Sequence, residues 1–362
     1  MKKFLLCIMA LTMLLGIGGC AADEEKPVET EAAVTTAVPM MVTEATTEPT
    51  EPTEPVYEGT MFLKASSVNL SLVGDTEDIY LGLIPKEAVT WESDDESVVT
   101  FQDGVLTATG VGNTTVRAIY RDQVVECAAG CLANTQEELM QLPEEVLRAP
   151  KRLPPAVDLE SECTELDEAT IIGDSITYFL FQWENRYDYM GKVQFLTKGG
   201  VSLNGFVLRF KNINYRGREM NLEDAIAASG VKKAFIMLGQ NDISSKAHVK
   251  IMENWEILLG RIREKAPDVE IYIQSSIPRR SSEVTDNYMN ERIFDYNQEL
   301  RQFALDNGCK FIDLEYYIRD HVDKMAVCYS QGDYHMNEKG CLAWMQILRY
   351  YTMYENQGGT LE

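Results

Sequence analysis

The chain has 362 residues, 45% of them hydrophobic, which is enough for two folded domains and their tails. A formal charge of −24 argues against nucleic acid or an anionic membrane surface as the main partner. Much of that excess is local to a stretch near the N-terminus, so it says little about any catalytic surface.

Lys2 and Lys3 lead into an apolar run from Phe4 to Ile17, which Gly18-Gly19-Cys20 closes. Basic, apolar and small residues in that order make a targeting segment, residues 1–19. About fourteen apolar residues are too few to span a bilayer comfortably. Ile17-Gly18-Gly19-Cys20 resembles the bacterial lipobox. The resemblance implies cleavage before Cys20, acylation of its thiol and new amine, and a lipid-anchored protein at the bacterial cell surface.

Residues 20–57 are mostly Thr, Glu, Pro, Val and Ala, including Glu48-Pro49-Thr50-Glu51-Pro52-Thr53-Glu54-Pro55. Such a segment cannot bury enough apolar surface to fold, and reads as a disordered, self-repelling spacer.

From 58 to 133 the pattern becomes short alternating runs, among them Val68-Asn69-Leu70-Ser71-Leu72 and Val105-Leu106-Thr107-Ala108. Asp103-Gly104 is a hairpin signal, and six or seven such strands predict a β-sandwich. Val89-Thr90-Trp91-Glu92-Ser93, Asp103-Gly104-Val105-Leu106-Thr107-Ala108 and Gly112-Asn113-Thr114-Thr115-Val116 resemble the bacterial Ig-like domain of group 2. Trp91 is expected in its core. With Cys7 in the targeting segment and Cys20 lipidated, Cys127, Cys131, Cys163, Cys309, Cys328 and Cys341 remain. Six exported cysteines permit disulfides in fifteen pairings. No second ligand pair stands at zinc-finger spacing beside Cys127 and Cys131, so no metal is expected.

Residues 134–167 read as a connecting segment with one helix at about 135–147. In 168–356, strands at 169–172, 193–196, 233–238, 269–274 and 310–312 alternate with helical patterns at 222–229, 248–265, 287–306 and 338–354. Alternation of this kind predicts a three-layer α/β fold, a parallel sheet flanked by helices, with its site beyond the carboxyl ends of the strands.

The first strand runs into Gly173-Asp174-Ser175-Ile176, where a strand turns sharply into a helix. A serine there is a nucleophile candidate, because the helix N-terminus offers N–H groups to a developing oxyanion. It is equally suited to be an ordinary helix cap. The strand at 233–238 ends in Gly239-Gln240-Asn241-Asp242, where an Asn amide can donate to the same oxyanion. Lys198-Gly199-Gly200-Val201-Ser202 can offer a backbone N–H. A base must take the serine proton, and the histidines are His248, His321 and His335. His248 begins a helix and His321 lies in the helical 316–323 run, both expected at the surface. His335, in a loop before the last helix, has Asp333 two residues upstream and is the favoured base.

Gly173-Asp174-Ser175-Ile176, the following glycines, Gly239-Gln240-Asn241-Asp242 and a late His335 before Asn337 and Gly340 resemble the SGNH, or GDSL-type, esterase family. The resemblance spans about 166–355 and implies a flavodoxin-like fold. It implies Ser175 as nucleophile and His335 as base. The oxyanion donors it implies are the Ser175 N–H, the Gly200 N–H and the Asn241 side chain, with Asp174 and Asp242 bracing the loops. The family places its acid three residues before the histidine, which here is Gly332. Either Asp333 reaches the ring in its place, or a backbone carbonyl orients His335.

The expected function is therefore an extracytoplasmic serine esterase that acts on small acyl esters, such as those of an O-acylated polysaccharide, without metal or organic cofactor. An O-acyltransferase would use the same residues, and a non-catalytic surface binding protein would keep the scaffold without the chemistry. The aromatic run 178–183 is expected to pack in the core more than to line a sugar platform.

Overall fold

The computed structural model describes residues 55–210, 212–280 and 288–361. The targeting segment, Cys20 and nearly all of the spacer lie outside the described residues. Among the described residues no helix is long and apolar enough to cross a membrane.

Residues alternating in and out of a core make short strands. These are β1 (Phe62–Leu63), β2 (Ser67–Leu72), β3 (Thr76–Asp78), β4 (Tyr80–Leu81), β5 (Thr90–Ser93), β6 (Val99–Gln102), β7 (Val105–Ala108), β8 (Gly112–Tyr120) and β9 (Gln123–Ala133). Strands β2, β9, β8 and β5 lie side by side in one sheet, and β3, β7 and β6 in another. Val68, Leu70, Val116 and Ala118 from the first meet Val99, Phe101 and Leu106 from the second in one buried cluster. Trp91 packs against it, edge-on to Phe101 with ring centroids 4.8 Å apart. Cys127 and Cys131 fall on the inward-facing positions of β9 and are buried; all six described cysteines are unpaired.

The helix expected at about 135–147 is two helices, α1 (Gln136–Leu139) and α2 (Glu144–Leu147). Pro143 divides them, because it has no N–H to donate and disfavours helical backbone at Leu142. The connection then adds β10 (Arg152–Leu153) to the module's sheet, antiparallel to β2.

The second half alternates as expected. Its elements begin with β11 (Ala169–Gly173), α3 (Ser175–Tyr187), β12 (Gln194–Thr197), α4 (Leu203–Val207), the hairpin β13 (Ile213–Tyr215) and β14 (Arg218–Met220), and α5 (Leu222–Ser229). They continue with β15 (Lys233–Met237), α6 (Gln240–Ile243), α7 (His248–Lys265), β16 (Glu270–Gln274) and α8 (Tyr288–Asp306). The last are β17 (Lys310–Ile312), α9 (Glu315–Ile318), the hairpin β18 (Ser330–Gln331) and β19 (His335–Met336), and α10 (Glu338–Asn356). The sheet order β12-β11-β15-β16-β17, all pairs parallel, is the flavodoxin-like 2-1-3-4-5. Alternate strand residues separate two cores. Ile172, Ile236 and Ile273 join Trp255, Leu258 and Leu300 of α7 and α8. Ile171, Phe235 and Tyr272 join Leu180 of α3 and Trp344 and Leu348 of α10 on the other face. The strand order reverses at β11, which places Ser175 where such sheets open a crevice.

The two halves touch through their backbones and long side chains. Tyr350 of α10 accepts from Leu63 N (3.0 Å) and donates to Leu63 O (2.6 Å), and Tyr317 donates to Lys64 O (2.7 Å).

Candidate active site

Strand β11 is buried throughout and ends at Gly173. A Cβ there would stand 2.0 Å from Thr177 Oγ1 and 2.8 Å from Met237 O, so only glycine lets α3 fold back this closely. Asp174 caps α3, its Oδ1 accepting from Ile176 N at 2.9 Å. Ser175 is thereby the first residue of the helix, half-buried at the sheet's carboxyl edge.

The hairpin β18–β19 pairs Gln331 with His335 and brings His335 Nε2 to 3.1 Å from Ser175 Oγ. Phe179, one turn along α3 from Ser175, lays its ring against the imidazole, with centroids 4.6 Å apart. Asn337 anchors this arrangement. Its side chain accepts from Gly340 N to cap α10 and donates to Cys328 O and Ser330 O at the base of the hairpin. Burial holds the His335 pKa below its ordinary value, so the ring is neutral and basic at neutral pH. We expect kcat/KM for p-nitrophenyl acetate to rise with pH and level off, with its midpoint below the ordinary histidine value of about 6.5. A midpoint at or above about 7 in the pH–rate profile would contradict this.

Asp333, expected as the acid that holds the imidazole, is at the tip of the hairpin turn and faces the other way. Its carboxylate pairs with Arg279, accepting from Nε at 3.0 Å, and its carbonyl accepts from Arg280 N. The Asp333 carboxylate is thus engaged by Arg279. The physical reason is the turn: Gly332, with φ +71°, starts a three-residue reversal that turns residue 333 toward the chain after β16. Asp333→Asn is accordingly expected to cost less than about tenfold in kcat/KM, where loss of a triad acid costs about 10⁴-fold in kcat. Steady-state kinetics on the folded variant checks it.

The groups expected as oxyanion donors are placed unevenly. The Ser175 N–H lies in the first turn of α3. Gly200, exposed with φ +67°, belongs to the loop after β12, which Lys198 N ties to Gly173 O at 3.1 Å. Asn241 lines the same recess, but its Nδ2 donates to Asp174 Oδ2 (2.8 Å) and Val201 O (2.7 Å). Both amide hydrogens are thus engaged, and donation to an oxyanion requires release of Val201 O. The aspartates tie the loops together: Asp174 joins Ser175's turn to Asn241, and Asp242 accepts from Leu203 N and Asn204 N to cap α4. Burial pushes the Asp174 carboxyl up to about 6, against the Ile176 N–H and with the help of nearby Asp242. Gly239, with φ +102° and Tyr296 Oη 2.1 Å from an added Cβ, admits no side chain where β15 turns into α6.

The other histidines lie elsewhere. His248 begins α7 as expected, its Nδ1 3.1 Å from Glu299. His321, expected on a helical surface, is buried beyond the end of α9, with Nδ1 3.0 Å from Ser71 Oγ of β2. Burial, with Lys151 and Arg152 nearby, pushes its pKa down to about 4.

Ser175 and His335 open into a recess of about 270 Å³. Ile176, Met289 and Ile293 supply an apolar side; Gln240, Ser244 and Arg279 supply a polar one, the Arg279 guanidinium lying 4.2 Å from the Tyr334 ring centroid. Gln240 Oε1 is buried with no partner among the described residues. Sequence reasoning missed Arg279 and the α8 residues, although the rule that sites lie beyond the strands' carboxyl ends points to the stretch after β16. Among the described residues no group of His, Cys, Asp and Glu is arranged to hold a metal ion.

Residues 171–342 match the family described as GDSL-like lipase/acylhydrolase. Three solved structures are similar at low identity. A GDSL-like lipase from Bacteroides thetaiotaomicron is 14% identical over 54% of this chain and 92% of its own, with a TM-score of 0.42. A member of the lipolytic G-D-S-L family from Veillonella parvula is 17% identical over 52% and 97%, with a TM-score of 0.36. An acetyl xylan esterase is 16% identical over 51% and 98%, with a TM-score of 0.40. No curated protein matches the chain.

Proposed function

From the premise that residues 171–342 form a GDSL-like lipase/acylhydrolase domain, we propose that this chain is a serine esterase that removes small acyl groups, acetyl foremost, from a polysaccharide outside the cell. The observation that carries the reading is Ser175 Oγ at 3.1 Å from His335 Nε2, at the head of α3. His335 takes the serine proton as Oγ attacks the ester carbonyl, and the N–H groups around Ser175 and Gly200 meet the oxyanion. The tetrahedral intermediate collapses, the protonated imidazole gives its proton to the leaving sugar oxygen, and an acyl-serine remains. Water, deprotonated by His335, then attacks that acyl group and regenerates the serine. Asn241 joins as a donor once its amide leaves Val201 O. Phe179 and burial keep the ring in place, a role in which Asp333 is secondary.

The recess, about 270 Å³ with an apolar side of three residues, favours a short acyl chain. Export, the lipid at Cys20, the spacer and an Ig-like assignment of the β module complete the proposal. They rest on the sequence of residues 1–133, and they favour a cell-envelope or extracellular glycan as the substrate. Wild-type protein is expected to hydrolyse p-nitrophenyl acetate and to take one fluorophosphonate per chain, on Ser175. Folded protein that forms no adduct there would overturn the esterase reading.

A further inference from the structure

A second hollow, of about 720 Å³, lies between the β module and the α/β domain and shares no lining residue with the recess at Ser175. One wall comes from the edge of the parallel sheet and the helices beside it: Asp313 after β17, Tyr316 of α9 and Tyr351 of α10. The facing wall is the module's: Lys64, Tyr80 and Lys86. The walls are already held in place. Tyr317 donates to Lys64 O and shares a 2.7 Å hydrogen bond with Tyr351, while Arg152 pairs with Glu77 and lies 4.2 Å from the Tyr316 ring centroid. A preformed cleft spares a ligand the cost of ordering it.

The chemistry of the walls selects among ligand classes. Lys86 pairs with the Asp78 carboxylate at 3.1 Å and Lys64 donates to Asp78 O at 3.2 Å. The lining sets Lys64, Lys86 and Arg301 against Glu77, Asp78 and Asp313, so its formal charges balance, which disfavours a phosphate or polyanionic ligand. Tyrosine hydroxyls, ammonium groups and carboxylates interrupt the apolar surface, which disfavours an acyl chain. Tyrosine rings beside both donors and acceptors suit a ligand with C–H faces and many hydroxyls, each able to give and accept a hydrogen bond. The Tyr316 hydroxyl is buried against the Glu77–Arg152 pair, so its ring and not its oxygen faces the cleft's contents.

We propose that this cleft binds a short stretch of neutral polysaccharide, so that the β module forms half of a glycan-binding site. The volume lies within the range of roughly 300–1,000 Å³ typical of small-molecule sites. Binding there holds the protein on a polymer while the separate Ser175 recess meets its side groups. The inference does not depend on the esterase reading, because saccharide binding needs no turnover.

The test uses the full chain carrying Ser175→Ala, with xylotetraose and the N-acetylglucosamine tetramer as probes in calorimetric titration. At least one is expected to bind with a Kd below about 1 mM. Lys64→Ala and Lys86→Ala, which remove the two ammonium donors of the module's wall, are together expected to weaken it by about tenfold or more. The same pair placed in the wild-type background should leave p-nitrophenyl acetate turnover and Tm unchanged. No binding of either saccharide at about 5 mM overturns the proposal, as does binding that the two cleft substitutions leave unaltered. An inert wild type with intact saccharide binding would instead count against the esterase alone.

Discussion

Ser175→Ala and His335→Ala are each expected to lower ester turnover by at least about 10³-fold, and the double variant by no more than the worse single one. The reason is that in the proposed mechanism the two side chains perform one act. The hydroxyl is a weak nucleophile until the imidazole accepts its proton, and the imidazole has nothing to activate once Oγ is gone. Their 3.1 Å separation permits that transfer directly. Residual rate should come from the backbone donors that remain at the head of α3. Neither change threatens the fold. Ser175 contributes no cap to α3, a task that falls to Asp174, and His335 is only half-buried. Steady-state hydrolysis of p-nitrophenyl acetate by the purified variants, with thermal melts alongside, decides the matter. Additive losses in the double variant would mean that the two residues act independently, and the shared mechanism would fall.

Removal of Arg148 is expected to be strongly destabilising, at about 3–5 kcal/mol for Arg148→Met. Its side chain is 5% exposed and that of its partner Asp320 0%, with Nε 2.5 Å from Oδ2. The guanidinium also donates to Arg280 O at 2.9 Å. Burial alone raises the Asp320 carboxyl, and Arg148 together with the Lys324 and Val322 N–H groups opposes that. Without the arginine, Asp320 must stay charged against burial or take up a proton and lose strength as an acceptor. The contrast is Lys232–Glu168, at 69% and 61% exposure, where Lys232→Ala should cost under about 1 kcal/mol. Urea unfolding of the two variants gives the comparison. A shift for Arg148→Met no larger than that for Lys232→Ala would mean that the buried pair does not hold the connecting segment to the α/β domain.

That pair also shows that residues 134–167 are more than a plain connection. Their polar and proline-rich composition is real, and Pro143 does break the helix. Yet Arg148 meets Asp320, 172 residues away, and Arg152 carries a strand into the module's sheet. Nothing local records either partner.

The amino-acid sequence by itself determined the five parallel strands and the long helices of the α/β half, the turn that carries Ser175, and which histidine stands beside it. Those depend on periodicity, glycine and capping chemistry, which act over a few residues and are therefore legible one segment at a time. Only tertiary structure decided what faces what. Asp333 turned to Arg279, His321 was buried against the module, and Asn241 spent both amide hydrogens on neighbours from other loops. These outcomes depend on the direction of side chains brought together by chain reversals and long-range packing, and a direction in space has no counterpart in spacing along the chain.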